Sequence, residues 1–227
     1  MSNAEKIPIR SVVFDYGNVL CFPQEASDVE KMASISGIPV ERFTHLYWLF
    51  RLPYDRGDLN RDTYWAKVAH EGGRAFTPQQ VEQLVDVDCK GWARINHASM
   101  QWVELLRRSG RQLALLSNMP ADISHYLTAN FEWPSLFDHL IFSCDVGLVK
   151  PDPEIYHLCL QKLQAQPADV LFLDDRPENI EAAAKLGIHA VLFDTLENTI
   201  DRVRKRFEVP LPDLEKVSLP APATARP

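Results

Sequence analysis

A short apolar run that stops on a carboxylate constrains this chain most. Val12, Val13 and Phe14 lead into Asp15, and the chain then turns at Gly17 and Asn18. Apolar, β-branched residues bounded by turn formers predict a strand buried on both faces. Burial on both faces is the habit of parallel sheets covered by helices, and in such sheets ligands bind outside the carboxyl ends of the strands. Asp15 stands at one of those ends and is the first candidate for a reactive residue.

The rest of the chain divides by periodicity. After Leu20 the strand signal disappears, and residues 21–93 read as amphipathic helices without a convincing strand. Gly37 stops the first helix, Pro53 and Gly57 break the second, and Gly72-Gly73 end the third. Thr77-Pro78-Gln79-Gln80 predicts a capping box that opens a fourth helix through about Lys90. This block is expected to be a helical insert over the sheet. From residue 94 helix and strand alternate. Strands are predicted at Gln112–Leu116, His139–Phe142, Val170–Leu173 and His189–Phe193, with helices between them and a last helix ending near Phe207. Asp152 is expected to cap a helix whose first turn holds Pro153. The expected fold is α/β, a doubly wound parallel sheet formed by residues 1–20 and 94–208, with the helical insert after the first strand. The proline-rich residues 209–227 lack periodicity and are expected to be a disordered tail.

Charge narrows the partners. With 31 acidic and 24 basic side chains the net charge is -7, which opposes sequence-independent binding to nucleic acid or to an anionic membrane. No run approaches the roughly 18 apolar residues of a membrane span, and the N-terminal residues show no apolar signal region. Cys21, Cys89, Cys144 and Cys159 form no CxxC pair and fit free thiols in a reducing cytosol. A cytoplasmic protein acting on small molecules is expected.

Four positions at or just after strand ends carry the chemistry: Asp15, Ser117, Lys150 and the pair Asp174-Asp175. A carboxylate nucleophile beside a hydroxyl, a lysine and further carboxylates suits phosphoryl transfer through an aspartyl-phosphate. Three carboxylates and a phosphate dianion carry about −5 against one lysine, so a hard divalent cation is implied, and Mg²⁺ takes such oxygen ligands. Each position also has an ordinary reading: Asp174-Asp175 fits the cap of a helix beginning near Pro177, Ser117-Asn118 fits a helix entry, and a lone lysine is usually solvated. The seven histidines show no zinc spacing, and Tyr47, Trp48, Phe50, Tyr64 and Trp65 fit an aromatic core at helical spacing, with the lining of a substrate pocket as the alternative for some of them.

Taken in order, Asp15-Tyr16-Gly17-Asn18-Val19, Ser117-Asn118, Lys150-Pro151 and Asp174-Asp175 resemble the four motifs of the haloacid dehalogenase superfamily. The resemblance spans about Val12 to Phe193 and is nearest the helical-cap branch that includes bacterial sugar phosphatases such as glucose-1-phosphate phosphatase. It implies that Asp15 attacks phosphorus and that Asp15, the Gly17 carbonyl and Asp175 hold Mg²⁺, with Asp174 ligating directly or through water. It implies further that Ser117 and the amides of Tyr16, Gly17 and Asn118 hold the phosphoryl oxygens while Lys150 neutralises charge. Most phosphatases of the superfamily carry a second aspartate where this chain has Gly17. Water, a cap residue such as His45, or an easily expelled leaving group would then supply what that acid supplies, typically about 10²- to 10⁴-fold in rate.

The expected activity is Mg²⁺-dependent hydrolysis of a small phosphomonoester, a sugar phosphate among the candidates. Two other readings stay open: hydrolysis of a carbon–halogen bond through an ester on Asp15, and a non-catalytic binding protein with a degenerate site. The physiological substrate and the oligomeric state are left open by the sequence.

Overall fold

A computed structural model of the chain, describing residues 6–215, carries a parallel five-stranded sheet. A short strand β1 (Ile7–Pro8) precedes β2 (Ser11–Phe14), β3 (Gln112–Ser117), β4 (His139–Phe142), β5 (Val170–Asp174) and β6 (His189–Leu192). The sheet order is β4-β3-β2-β5-β6. Register explains why the strand ends converge. Phe14 lies opposite Leu115 on one side and Leu173 on the other, so the residues that follow it and its neighbours reach the same level. The chain runs from β2 to β3 and β4 on one flank and later to β5 and β6 on the other, which makes the end of β2 a topological switch point.

Strand alternation feeds two cores. Val12, Phe14, Leu113, Leu115, Leu171 and Leu173 face one layer with Trp102, Val103, Ile200 and Val203. Val13, Ala114, Leu116 and Phe172 face the other with Ile155, Tyr156 and Ala183. Each large side chain fully withdrawn from water contributes about 1.5–3 kcal/mol, so both faces are needed to hold the sheet.

Five helices follow β2 as one block: α1 (Ala26–Ser36), α2 (Val40–Leu49), α3 (Arg51–Arg56), α4 (Arg61–Glu71) and α5 (Pro78–Gly91). They share a separate core of Met32, Phe43, Tyr47, Tyr64, Trp65, Val68 and Leu84. The expected capping box opens α5: the Gln80 N–H donates to Thr77 Oγ1 at 3.2 Å, and the Thr77 N–H donates to Gln80 Oε1 at 3.0 Å. The helical block leaves and returns at one place, because the Phe22 N–H donates to the Arg94 carbonyl and the Asn96 N–H to the Leu20 carbonyl, both at 2.8 Å. After it come α6 (His97–Arg108), α7 (Ala121–Asn130), α8 (Ser143–Val146), α9 (Pro153–Leu163), α10 (Pro177–Lys185), α11 (Leu196–Arg206) and a short β7 (Phe207–Glu208).

Three expectations need correction. Pro53 does not break a helix. It lies in the first turn of α3, where its missing N–H has no intrahelical partner to lose, and the interruption falls one turn earlier at Phe50. Asp152 stands at the N-terminus of α9, but its side chain accepts no capping hydrogen bond. Residues 209–215, expected as the start of a disordered tail, are packed on the core. Parallel pairing of β7 with β1 holds the chain there, Val209 is buried, and Trp102 Nε1 donates to the Pro210 carbonyl at 2.9 Å. The rest of that expected tail, 216–227, lies outside the described residues. Among the described residues no helix is long and apolar enough to cross a membrane.

Candidate active site

Lys150 is the hub of the strand-end cluster. Its buried Nζ lies 2.8 Å from Asp15 Oδ1 and 2.6 Å from Asp174 Oδ2. The lysine is fixed through its own backbone: Asn118 Oδ1 accepts the Lys150 N–H and Asn118 Nδ2 donates to the Lys150 carbonyl, both at 2.9 Å. That pair of bonds fastens the loop after α8 to the end of β3.

Asp174 is wholly buried and saturated. Besides Lys150, it accepts from the Arg176 N–H at 2.8 Å and from Asn179 Nδ2 at 2.9 and 3.0 Å. Asp175 is half-buried, faces the cavity, and accepts from Asn18 Nδ2 at 2.7 Å. Asn18 takes a left-handed backbone, φ 57°, which turns the chain after Gly17 and aims the amide at Asp175. Oxygens of Asp15, Asp174 and Asp175 come within 4.8 Å of one another.

Burial pushes the Asp15 carboxyl up to about 7, with Lys150 opposing and the two neighbouring aspartates adding to the rise. Burial likewise raises Asp175, against the Asn18 hydrogen bond. Desolvation acts against the Lys150 ammonium, yet Asp15 and Asp174 hold its pKa above the ordinary value. Three carboxylates thus share one lysine in a desolvated place. An all-oxygen donor set with excess negative charge fits a hard divalent cation, with Asp15 and Asp175 offering free oxygens and Asp174 already committed.

The cavity over these groups has a volume of about 370 Å³. Asp15, Tyr16, Gly17, Ser117, Asn118, Lys150 and Asp175 all line it, so seven of the eight residues expected from the sequence meet there. Asp174 lies directly beneath, on Lys150. The Tyr16 side chain points away from the cavity: its hydroxyl donates to the Trp92 carbonyl at 2.7 Å and its ring stacks on Trp133. The opposite wall comes from the helical block, with Trp48, Arg51, Leu52, Asp55 and Trp92.

The sequence matches the haloacid dehalogenase-like hydrolases over residues 9–187. The chain belongs to that family. A sesquiterpene phosphatase of Aspergillus oryzae is 34% identical over 194 residues, covering 85% of this chain and 94% of that one. A family enzyme of Bacteroides thetaiotaomicron, solved with magnesium and inorganic phosphate, superposes with a TM-score of 0.67 at 19% identity, covering 81% of this chain and 93% of that one. L-2-haloacid dehalogenase of Xanthobacter autotrophicus gives a TM-score of 0.64 at 20% identity, covering 86% of this chain and 81% of that one. Both structural likenesses show the fold. The matches to mouse acyl-CoA dehydrogenase family member 10 and bifunctional epoxide hydrolase 2 cover 10% and 15% of those proteins, so this hydrolase corresponds to a small part of each.

Two readings of the helical block change. His45 does not reach the site: it is exposed, one turn before Trp48 on α2, and does not line the cavity of this haloacid dehalogenase-like hydrolase. Trp48 is not core; it is 53% exposed and lines the cavity, while its neighbour Tyr47 is buried. Sequence reasoning left Asn18, Asn179 and Arg51 out of the site, Arg51 because a solvated helix face explains such an arginine as well as a substrate contact does. The turn position of Asn18 after Gly17 was a usable signal. Asn179 falls five residues after Asp174, in the first turns of α10, and Arg51 had no signal that set it apart from other helical arginines.

Proposed function

We propose that this hydrolase releases phosphate from a small phosphomonoester, with Asp15 as nucleophile and Mg²⁺ as cofactor. The observation that carries the reading is the buried Asp15–Lys150–Asp174 chain beside Asp175 at level strand ends. The sesquiterpene phosphatase relative supports it.

Asp15 attacks phosphorus, the bond from phosphorus to the ester oxygen breaks, and the phosphoryl group stays on the Asp15 carboxylate. Water then attacks the same phosphorus, breaking its bond to Asp15 and freeing inorganic phosphate. Lys150 orients the nucleophile, opposes the rise in its pKa and offsets charge on the transferred group. Ser117 and the amides of Tyr16, Gly17 and Asn118 bind its oxygens. Asp174 positions Lys150 and would meet the cation directly or through water. Asp15, the Gly17 carbonyl and Asp175 would hold Mg²⁺, which screens the negative charges that the nucleophile and phosphate bring together. Gly17 supplies no proton, so water protonates the leaving oxygen. The helices 26–91 act as the cap over this site.

Phosphate release from an ester panel, with Mg²⁺ or with EDTA, tests the proposal in wild type and Asp15→Asn. Release that requires both the metal and Asp15 is expected. Metal-independent halide release from 2-haloacids without phosphate release would replace it with the dehalogenase reading. The three-carboxylate cluster disfavours that outcome, since it repels a haloacid carboxylate.

A further inference from the structure

The cap wall of the cavity has an unusual composition. Among the described residues the exposed large hydrophobic side chains are Trp48 at 53%, Leu49 at 53% and Leu52 at 47%. All three lie within one stretch, and Trp48 and Leu52 line the catalytic cavity while Leu49 does not. The helix break at Phe50 produces this: Trp48 lies in the last turn of α2 and Leu52 in the first turn of α3, and both line the cavity on either side of the break. Trp92 adjoins them, its ring 6.4 Å from that of Trp48 in a perpendicular contact. A Cβ placed on Gly17 would meet the Trp92 ring at 3.7 Å, so this ring also walls the nucleophile loop. Met119 and Ile123 extend the apolar lining from the core side.

The cavity's cations are already matched. Lys150 serves Asp15 and Asp174. Arg51 is buried against Asp55 at 2.8 Å and Asp88 at 3.1 Å, so one guanidinium faces two carboxylates. Arg176 is paired with Glu178 through its Nε at 2.7 Å. Among the described residues that line the cavity, each of these cations has a carboxylate partner, so none is left unpaired for a second phosphate or a carboxylate. A hydroxyl-rich group would in turn strip water from its oxygens against indole and leucine without replacing the lost hydrogen bonds.

We infer, building on the phosphatase reading above, that the leaving group of the substrate is an uncharged apolar or aromatic moiety seated against Trp48, Leu52 and Trp92. The substrate class is an amphiphilic phosphomonoester rather than a sugar phosphate. Covering the exposed indole and leucine supplies binding energy that the polar half of the cavity does not, and specificity resides in two cap residues beside the helix break.

The test measures phosphate release with Mg²⁺ from octyl phosphate, naphthyl phosphate, methyl phosphate, a hexose phosphate esterified at its primary hydroxyl, and a hexose bisphosphate. The octyl and hexose esters have leaving groups of similar basicity, so their comparison reads recognition. Wild type is expected to favour octyl over hexose phosphate by at least about tenfold in kcat/KM, with the bisphosphate poorest, as loss of one well-packed apolar contact predicts. Trp48→Ala and Leu52→Ala are expected to raise KM for octyl phosphate about tenfold more than KM for methyl phosphate, whereas Leu49→Ala leaves that ratio unchanged. Both sites are exposed, and circular dichroism checks that the variants keep the wild-type fold. Preference for the hexose esters, or an octyl-to-methyl ratio indifferent to Trp48 and Leu52, overturns the inference and leaves the phosphatase reading standing. A Trp48→Ala change in oligomeric mass without a change in the KM ratio assigns the patch to contact between copies and also overturns it. No release from any ester, methyl phosphate included, removes both readings.

Discussion

The two walls of the cavity at the candidate site are built in opposite ways. On the core side every charged group is over-determined: Asp174 takes four hydrogen bonds, Lys150 is fixed at its ammonium and at its backbone, and Asp175 is held by Asn18. On the cap side the polar groups Arg51, Asp55, Asp88 and Tyr47 satisfy one another, and the atoms presented to the cavity are largely apolar and exposed. The difference teaches where each job is done. Chemistry needs groups whose positions are settled before the substrate arrives, because reorganising them would add to the barrier. Recognition of an apolar group needs surface that is still wet, because only surface that loses water on binding contributes affinity.

The largest effect that would break this contrast is on the core wall. Asp15→Asn is expected to reduce phosphate release by at least about 10³-fold, as loss of a nucleophile does, a scale that no cap substitution should approach. A steady-state assay in Mg²⁺ measures it, and a cap variant with an equal loss would erase the division of labour.

Lys150→Ala comes next, since it leaves Asp15 and Asp174 buried without their common partner. Breaking such a pair costs about 3–5 kcal/mol, to be read from urea unfolding at neutral pH. The seam between the walls is tested by Gly57→Ala at the end of α3. Gly57 has φ 88°, and a Cβ there would lie 2.9 Å from the Cys144 carbonyl oxygen. The left-handed strain and the contact together predict a loss of about 1–3 kcal/mol in thermal unfolding. Activity should fall with it, because α3 carries Leu52 to the cavity.

The smallest expected effects are titrations of opposite sign. Burial pushes Asp55 in the cap up to about 6, against the pull of Arg51. Its folded pKa lies above the ordinary 3.8, so the native state binds more protons between pH 4 and 6. The stability it contributes therefore falls as pH rises through that window. Asp194, after β6, is held down to about 2, chiefly by its hydrogen bond with Arg202. Its native state binds fewer protons, so its contribution is lost as pH falls from about 4 to about 2. This pair is well exposed to solvent, which limits it to about 1 kcal/mol or less. Unfolding of Asp55→Asn and Asp194→Asn against pH should give slopes of opposite sign relative to wild type. Slopes of the same sign would remove the electrostatic side of the contrast.

Much of the core wall was legible beforehand. Asp15, Ser117, Lys150 and Asp174-Asp175 were marked by abrupt ends of apolar runs and by proline and glycine punctuation. Strands of period two in a parallel sheet turn such local signals into shared position, because register carries one strand end level with the next. The helical block, its glycine stops and the Thr77 capping box were readable for the same local reason. The packing of residues 209–215 was not, since composition says nothing of the β1 and β7 pairing that holds them.

The cap wall was decided by the tertiary structure alone. Tyr47 and Trp48 are adjacent aromatics on one helix, and nothing local tells which joins the helical core and which lines the cavity. An angular step of about 100° separates them, and the choice between them is made by the packing of α2 on α1 and α4 and by the break at Phe50. Arg51 likewise finds Asp88 only when helices 37 residues apart in sequence are brought together. The sequence by itself determined which residues end strands, and so which chemistry the site carries. The tertiary structure decided which helix faces meet that site, because a helix offers every face at each turn and only its neighbours select one.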